Sequence, residues 1–213
     1  MRTIDLTARR TDETARDLLA PAALAIKSGG LVVIPTTTYY ALAADALSPT
    51  AVARVFSAKR RDRAKPIIAL CDSFEMVKPL VREVPPSAKE LEWRLGSRGI
   101  TFVLEASSRV PVELTAGTGT VAVRIERNEV VRELLDLVGQ PVTGTSANVE
   151  GRPPARTADD AAAQLRDWLD VVVRSAPAGA TKPTTIVDLT RPGEPVVREG
   201  TVPESDVRKV LGR

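Results

Sequence analysis

The segment from Gly29 to Leu70 constrains the fold of this chain most strongly. In succession it predicts a strand, a hydroxyl-rich loop, a helix, a cationic loop and a second strand. Leu31 to Ile34 is a short apolar run that follows two glycines. Pro35 ends this strand because proline has no backbone N–H to donate to a sheet. The loop that follows therefore starts at the end of a buried strand.

That loop is rich in hydroxyl groups, which belong to Thr36, Thr37, Thr38, Tyr39 and Tyr40. Loops that a rigid sheet holds in place often carry function, so these side chains are candidate site residues. A helix follows, with Ser48 as the predicted N-cap and Pro49 as the first helical residue. Its apolar stripe is predicted to consist of Val52, Val55 and Phe56.

Positive charge dominates the residues after this helix, namely Lys59, Arg60, Arg61, Arg63 and Lys65, with Asp62 as the only acid among them. Cations at a helix C-terminus can simply complement the helix dipole, an effect of about 0.3 to 1 kcal/mol. That explanation accounts for two cations, not five. The loop therefore predicts an anion bound against the end of a sheet.

Two later segments also contain candidate site residues. Arg124 interrupts the strand VAVRI, where it is either exposed at an edge or paired with an anion in a site. Ser146 and Asn148 lie in the loop TSANVEGRPP, where such residues often only satisfy backbone groups. The Gly/Pro-containing loop APAGATKP either closes over a ligand or simply connects two strands.

Three packing predictions can be tested directly. A helix over residues 11–28 is predicted to face inward with Leu18, Leu24 and Ala25. Ser87 and Glu90 have the spacing of a capping box. Trp93, in the helix that follows them, is predicted to be a core anchor rather than a base-stacking residue.

Composition excludes several classes of chemistry. The chain has no histidine, which excludes catalytic triads built on imidazole, and its single cysteine, Cys71, excludes an intramolecular disulfide. Neither GxxxxGK[ST] nor GxGxxG after a strand is present, so a bound nucleotide would be held by side chains. An aromatic content of 3% argues against a stacking platform for single-stranded nucleic acid.

Hydropathy and length give the remaining general expectations. The N-terminus is polar rather than signal-like and no apolar run approaches a membrane span, which predicts a cytoplasmic protein with no membrane association. A chain of 213 residues with 43% hydrophobic content can bury its core as one domain, residues 1–213. The net charge of +3 is a weak argument for polyanion binding, even with a pI of about 9.2.

Several motifs occur in an order and spacing that resemble the YrdC/Sua5 family, the threonylcarbamoyladenylate synthases. These motifs are PTTTYYAL, Lys59-x-Arg61, Lys65-Pro66-Ile67, Ser146-x-Asn148, and TTIVDLT followed by Arg198-x-Gly200. The resemblance implies an α/β (α+β) fold made of a single YrdC-like domain. Its twisted mixed β-sheet would have flanking helices and a basic concave site.

The resemblance also implies an activity: L-threonine, bicarbonate and ATP give threonylcarbamoyladenylate and pyrophosphate, for N6-threonylcarbamoyladenosine modification of tRNA. Mg2+ would accompany ATP, and tRNA-modification proteins are implied partners. The implied residue roles fall into three sets. They are Lys59 and Arg61 in catalysis and phosphate binding, Thr36, Thr38, Tyr40, Arg124 and Thr145 in substrate binding, and Ser146, Asn148, Thr185 and Arg198 in nucleotide binding.

The first motif departs from the family pattern in ways that bear on the substrate. Thr37 stands where the family has an acid, Tyr39 where it has valine, and Ala41 where it has glycine. Leu70 stands where longer relatives have histidine. Two alternatives therefore stay open: a paralogue that uses another small amine or carbamoyl phosphate, and a protein that binds double-stranded RNA or tRNA through its basic concavity.

Overall fold

The computed structural model describes residues 1–7, 14–176, 182–191, 193 and 195–212. Its strands are β1 (Arg2–Asp5), β2 (Val32–Ile34), β3 (Ala41–Ala43), β4 (Ala69–Cys71), β5 (Ile100–Glu105), β6 (Thr120–Ile125), β7 (Val142–Thr143), β8 (Thr145–Ser146), β9 (Val171–Arg174), β10 (Thr185–Asp188) and β11 (Val196–Arg198). Its α-helices are α1 (Ala15–Lys27), α2 (Pro49–Lys59), α3 (Phe74–Val77), α4 (Pro86–Leu95), α5 (Val112–Thr115), α6 (Glu129–Val138), α7 (Ala158–Leu165) and α8 (Glu204–Val210).

The predicted mixed α/β class is confirmed, but the strands form two mixed sheets rather than one. The five-stranded sheet has the order β1-β9-β2-β3-β8, and the six-stranded sheet has the order β11-β10-β5-β6-β4-β7. An isolated bridge between Asp45 and Val142 links the ends of β3 and β7. The two sheets together form the frame on which the site is built.

Local signals set the boundaries of several elements as predicted. β2 ends at Ile34, before Pro35, and α2 begins at Pro49 after Ser48, whose side chain accepts from the Ala51 N–H. α2 ends at Lys59, and its C-cap residue Arg60 adopts a left-handed conformation with φ of 50°. This conformation interrupts the helix and turns the chain into the cationic loop, although it is unfavourable for a residue other than glycine.

Alternation along β6 separates the core from the interior of a cavity. Val121 and Val123 belong to the main hydrophobic core, whereas Ala122 and Arg124 line a cavity on the other face of the six-stranded sheet. A second apolar cluster lies where α1 packs on α6 and against β2 and β9. Among the described residues, no helix combines the length and apolarity that a membrane span requires.

Two packing predictions were wrong, and a third was wrong in part. The buried face of α1 contains Leu19, Ala22, Ala23 and Ile26. Leu18 and Ala25 are half-buried against this cluster as predicted, but Leu24 points outward with 66% of its surface exposed. α4 begins at Pro86 with no side-chain cap, so Ser87 and Glu90 do not form a capping box. Trp93 is 81% exposed because the buried stripe of α4 runs through Ala88, Leu91 and Leu95.

The Gly/Pro loop between β9 and β10 was a candidate lid. Its central residues, 177–181, lie outside the described residues, as do residues 11–13 at the predicted start of α1.

Candidate functional site

A cavity of about 580 Å³ has walls from both sheets. The five-stranded sheet contributes the loop between β2 and β3 together with β8, and the six-stranded sheet contributes residues of β4, β5, β6, β10 and β11. The floor is largely apolar, with Leu70, Val103, Ala122, Ile186 and Val197. Its size and mixed character are those of a small-molecule site.

A glycine on β8's side of the cavity allows close packing of the two sheets. A Cβ atom added at Gly144 would lie 2.4 Å from Cγ of Leu70. Leu70 itself is 1% exposed and forms part of the floor. The side chain of Leu70 therefore occupies the space that a Cβ atom at position 144 would need.

Arg124 is the most deeply buried of the three arginines that line this cavity. Only 8% of its side chain is exposed, so the alternative of an exposed edge position is wrong. Its Nη1 donates to Oγ1 of Thr38 at 3.2 Å, its Nη2 donates to Oγ1 of Thr37, and Nη2 lies 3.0 Å from Oε2 of Glu126. Burial lowers the pKa of Arg124, while Glu126 and then Glu92 act in the opposite direction.

The threonine loop is held together by its own hydroxyl groups. Oγ1 of Thr36 donates to the Tyr39 carbonyl at 2.6 Å and accepts from the Thr38 N–H at 3.2 Å. Thr36 and Thr38 are buried and line the cavity, whereas Thr37 is exposed. The loop therefore presents preorganised hydroxyl groups next to Arg124.

Tyr40 also lines the cavity, but its hydroxyl group is used in the fold. The hydroxyl donates to the Ser175 carbonyl at 2.8 Å and accepts from the Ser175 N–H at 3.0 Å. Burial raises the pKa of Tyr40, with the Ser175 contact acting against it. The ring can contact a ligand while its hydroxyl group ties the loop to the end of β9.

Lys59 is placed differently from the prediction. It is 2% exposed, does not line the cavity, and its Nζ donates to the carbonyl oxygens of Ser146 and, at 2.7 Å, Asn148. Burial, together with the nearby Arg61 cation, lowers the pKa of Lys59 to about 7 against the opposing effect of Glu150. Lys59 thus holds the backbone of the Ser-x-Asn loop rather than offering its charge to solvent.

This burial predicts a specific pH dependence of stability. Between the folded pKa of about 7 and the ordinary value of 10.5, the unfolded chain binds a proton at Lys59 that the folded chain does not bind. The free energy of unfolding should therefore rise with pH across this window, by up to about 1.4 kcal/mol per pH unit. Below pH 7 the lysine is charged in both states and the full cost of burying it applies.

Urea unfolding of the parent and of Lys59→Met at several pH values through this window measures the effect. Buried Cys71, whose pKa burial raises, opposes the trend at high pH, but its contribution is common to both proteins. The free energy of unfolding of the parent minus that of Lys59→Met should therefore rise with pH. Parallel curves would mean that Lys59 keeps an ordinary pKa in the folded protein.

Arg61 is the residue of the cationic loop that faces the cavity. Its Nη2 donates to the Pro66 carbonyl at 3.0 Å and its Nε to the Lys65 carbonyl at 3.3 Å. Burial lowers the pKa of Arg61, opposed by Glu150 and Asp62. Lys65 is paired with Glu150 at 2.6 Å, while Arg60 and Arg63 are exposed.

Asn148 gives the Ser-x-Asn loop its shape. Its Oδ1 accepts from the Ser146 hydroxyl at 2.5 Å, and its Nδ2 donates to the carbonyls of Val149 at 2.9 Å and Arg152 at 2.8 Å. Asn148 is 6% exposed and does not line the cavity, whereas Ser146 and Thr145 do.

The last wall comes from the C-terminal motifs. Arg198 lines the cavity and its Nη2 donates to the Thr184 carbonyl at 2.9 Å. Thr185 is fully buried; its Oγ1 donates to the Val202 carbonyl at 2.6 Å and accepts from the Gly200 N–H at 2.9 Å. A Cβ atom at Gly200 would lie 2.2 Å from the Pro183 carbonyl oxygen, which explains the glycine of the Arg-x-Gly motif.

The structure thus brings most of the predicted site residues together. Eight line the cavity: Thr36, Thr38, Tyr40, Arg61, Arg124, Thr145, Ser146 and Arg198. Three do not: Lys59, Asn148 and Thr185. Sequence reasoning missed Thr184 and Glu126. For Glu126 a signal existed, because it follows Arg124 by two residues and this spacing places alternate strand residues on one face.

No group of three or more histidine, cysteine, aspartate or glutamate side chains within the described ranges is arranged to hold a metal ion.

The chain is similar to proteins of known family. Residues 24–200 match the Sua5/yciO/yrdC family model, described as telomere recombination. The threonylcarbamoyl-AMP synthase of Pyrococcus abyssi is 35% identical over 187 residues, which cover 88% of this chain and 55% of that protein. A putative threonylcarbamoyl-AMP synthase of Mycobacterium tuberculosis is 37% identical over 188 residues, covering 88% of this chain and 86% of the relative.

A solved structure of P. abyssi Sua5 complexed with L-threonine superposes with a TM-score of 0.89 at 32% identity. The match covers 99% of this chain and 60% of that chain. This chain therefore spans little more than half the length of the P. abyssi protein.

Proposed function

The chain belongs to the Sua5/YciO/YrdC family, and from this membership we propose that it is an ATP-dependent threonylcarbamoyl-AMP synthase built as a single domain. The observation that carries the proposal is the cavity itself. It contains a buried guanidinium, Arg124, beside preorganised threonine hydroxyl groups, and two further arginines, Arg61 and Arg198, in its wall. These groups suit an amino-acid carboxylate and a polyphosphate in one enclosure.

The proposed reaction needs no protein nucleophile. The amine of threonine takes up bicarbonate with loss of water to form a carbamate. A carbamate oxygen then attacks the α-phosphorus of ATP, the bond from that phosphorus to the bridging oxygen breaks, and pyrophosphate leaves. Positioning and charge neutralisation are the main requirements of such a reaction, so a site without histidine can meet them.

We assign roles by chemistry. Arg124 binds the amino-acid carboxylate, and Thr36 and Thr38 line the amino-acid and carbamate pocket. Arg61 and Arg198 bind phosphates and stabilise the charge that develops on the departing pyrophosphate. The apolar floor accommodates the adenine ring, and Ser146 and Thr145 contact the nucleotide.

We assign positioning roles to the three predicted residues that do not line the cavity. Lys59 and Asn148 fix the loop that carries Ser146. Thr185 binds the backbone of Gly200 and Val202, next to the strand that carries Arg198. Mg2+ would enter as part of the ATP substrate.

We further propose that the product serves modification of tRNA in the cytoplasm, together with other tRNA-modification proteins. One observation favours direct contact with tRNA or double-stranded RNA as a second function. Arg60, Arg63 and Arg152 are exposed on the adjacent loops joined by Glu150, and none of the three forms an ion pair within the described part of the chain. Their charges suit phosphate contacts, so RNA affinity should fall steeply with salt.

The direct test is pyrophosphate release from ATP and bicarbonate, screened against all amino acids. We expect release that depends on threonine and exceeds that with serine or glycine. Release that needs no amino acid, or that another amine supports better, would replace the threonine assignment with the paralogue alternative. A screen with carbamoyl phosphate in place of bicarbonate tests the remaining version of that alternative.

The phosphate role of Arg61 gives a separate prediction. Arg61→Ala should weaken ATP binding by about 1.5 to 3 kcal/mol, because a charge-assisted contact is lost. Isothermal titration calorimetry with ATP measures the change. The matched control is Arg63→Ala, which removes a cation from the same loop but not from the cavity wall. Equal losses in both variants would indicate general electrostatic attraction rather than a phosphate contact.

A further inference from the structure

We infer that Glu126 positions Arg124 for the substrate carboxylate. The inference rests on the proposed function for the identity of the ligand, but the coupling between the two side chains can be measured without it. Three features of the structure carry it: how Glu126 is fixed, what it provides to Arg124, and which group occupies position 37.

Glu126 is fixed by the backbone. Its side chain is fully buried, and Oε1 accepts from the N–H groups of Arg127 at 2.9 Å and Asn128 at 3.1 Å, where the chain turns from β6 into α6. A longer contact of 3.4 Å reaches the Thr37 N–H. The carboxylate is therefore held before any ligand arrives, and it links the end of β6 to the threonine loop.

The second oxygen of Glu126 supplies charge. Oε2 lies 3.0 Å from Nη2 of Arg124 but, among the described residues, has no partner in hydrogen-bond geometry. A buried oxygen of this kind needs an explanation, and the adjacent guanidinium provides it. Without this carboxylate, Arg124 would be a buried cation whose remaining named contacts, Thr37 and Thr38, are uncharged.

Position 37 also contacts Nη2 of Arg124, from the threonine loop. The Thr37 hydroxyl accepts from Nη2 of Arg124, and Thr37 is exposed. A carboxylate there would reach the nitrogen that already pairs with Glu126, and two acids beside one guanidinium would leave a net negative charge that repels an anionic ligand. Among the described residues, Glu126 is the one acid paired with Arg124, and the threonine loop offers it uncharged hydroxyl groups.

This arrangement specifies the class of substrate. A buried guanidinium that pairs with Glu126 and contacts the hydroxyl groups of Thr37 and Thr38 suits amino acids with a free α-carboxylate. Amines that lack a carboxylate would leave Arg124 without an anionic partner in the cavity, and a site built for a polar group rejects analogues without it.

The experiment relocates the acid. Glu126→Gln, Thr37→Asp and the double variant Thr37→Asp/Glu126→Gln are compared with the parent in pyrophosphate release, with KM measured separately for threonine and ATP. Glu126→Gln should raise the threonine KM by about 10- to 100-fold, the effect of losing a charge-assisted contact. The ATP KM should not change. Thr37→Asp alone should also raise the threonine KM, and the double variant should recover much of the loss.

Glu92→Gln is the matched control. Glu92 is also a buried acid, but it pairs with Arg127 at 2.5 Å rather than with Arg124. It should change the threonine KM far less than Glu126→Gln does, because Glu92 acts on Arg124 only at a distance. A purely structural role for Glu126 would lower the melting temperature without separating the two KM values, and the double variant would then perform no better than Glu126→Gln. Equal effects on the two KM values, or no recovery in the double variant, would overturn the inference.

Failure of the proposed function is distinguishable from failure of this inference. If the parent releases no threonine-dependent pyrophosphate, the function is wrong, and the pairing is judged by urea unfolding of Arg124→Gln, Glu126→Gln and the variant with both changes. If the double variant is more stable than the sum of the two single effects predicts, the result supports the anchoring of Arg124 by Glu126. Additive effects would overturn it.

Discussion

Replacing Arg124 with glutamine should abolish threonine-dependent pyrophosphate release and lower the free energy of unfolding by about 3 to 5 kcal/mol. The loss of turnover and the loss of stability have separate causes. The cavity loses its buried cation, and Glu126, whose side chain is fully buried, is left without its ion-pair partner. Turnover is measured by pyrophosphate release and stability by urea unfolding.

Two variants separate these consequences. Arg124→Gln/Glu126→Gln removes both charges, so stability should recover while turnover stays absent. Arg127→Gln removes a nearby arginine that is 48% exposed and pairs with Glu92, so it should have little effect on turnover. If the charge-free double variant regained threonine-dependent turnover, Arg124 would be a structural residue and the carboxylate would bind elsewhere.

Replacing Lys59 with methionine should reduce kcat/KM by about 100-fold, the size of effect that misplacement of a site by roughly 1 Å can produce. The expected cause is loss of the loop geometry rather than loss of a phosphate contact, because Nζ donates to the carbonyls of Ser146 and Asn148 and does not reach the cavity. Steady-state kinetics with ATP and threonine measure the change.

A double-mutant cycle tests that cause. If Lys59 acts through the loop, adding Ser146→Ala to Lys59→Met should cost little beyond the first change. Lys65→Met is the matched control, since Lys65 is 55% exposed and pairs with Glu150. Independent, additive losses from Lys59 and Ser146 would instead support the sequence-based prediction that Lys59 binds phosphate directly.

The departures in the first motif have different structural consequences. Ala41 lies in β3, opposite Ile34 and Ser146 in a regular antiparallel pairing, so its backbone does not require glycine. Thr37 is exposed and contributes a hydroxyl group to Arg124. We expect the second departure to matter more for substrate choice, because it changes charge beside a buried cation whereas Ala41 adds one methyl group.

Elements that the sequence determined by itself depend on contacts within a few residues. Pro35 ends β2 because it lacks an N–H group, Ser48 and Asn128 cap α2 and α6 with their own side chains, and Thr157 forms a capping box with Asp160. The motif spacing also gathered most of the site, since eight of the eleven predicted residues line one cavity. The strand end and the helix caps need only the local chain, so sequence patterns encode them directly, whereas the site residues were identified from the order of motifs along the whole chain.

The tertiary structure decided the features that depend on distant partners. Trp93 is exposed because neighbouring elements pack on the Leu91 face of α4, a choice that an aromatic residue in a helix does not reveal. Lys59 is buried because carbonyls 87 and 89 residues away accept its protons. The sequence places Glu126 two residues from Arg124, but the burial of this pair and its contacts with the threonine loop come from residues 86 to 89 positions away. The role of a charged side chain depends on its desolvation and its counter-charge, and both are set by residues far away in the sequence.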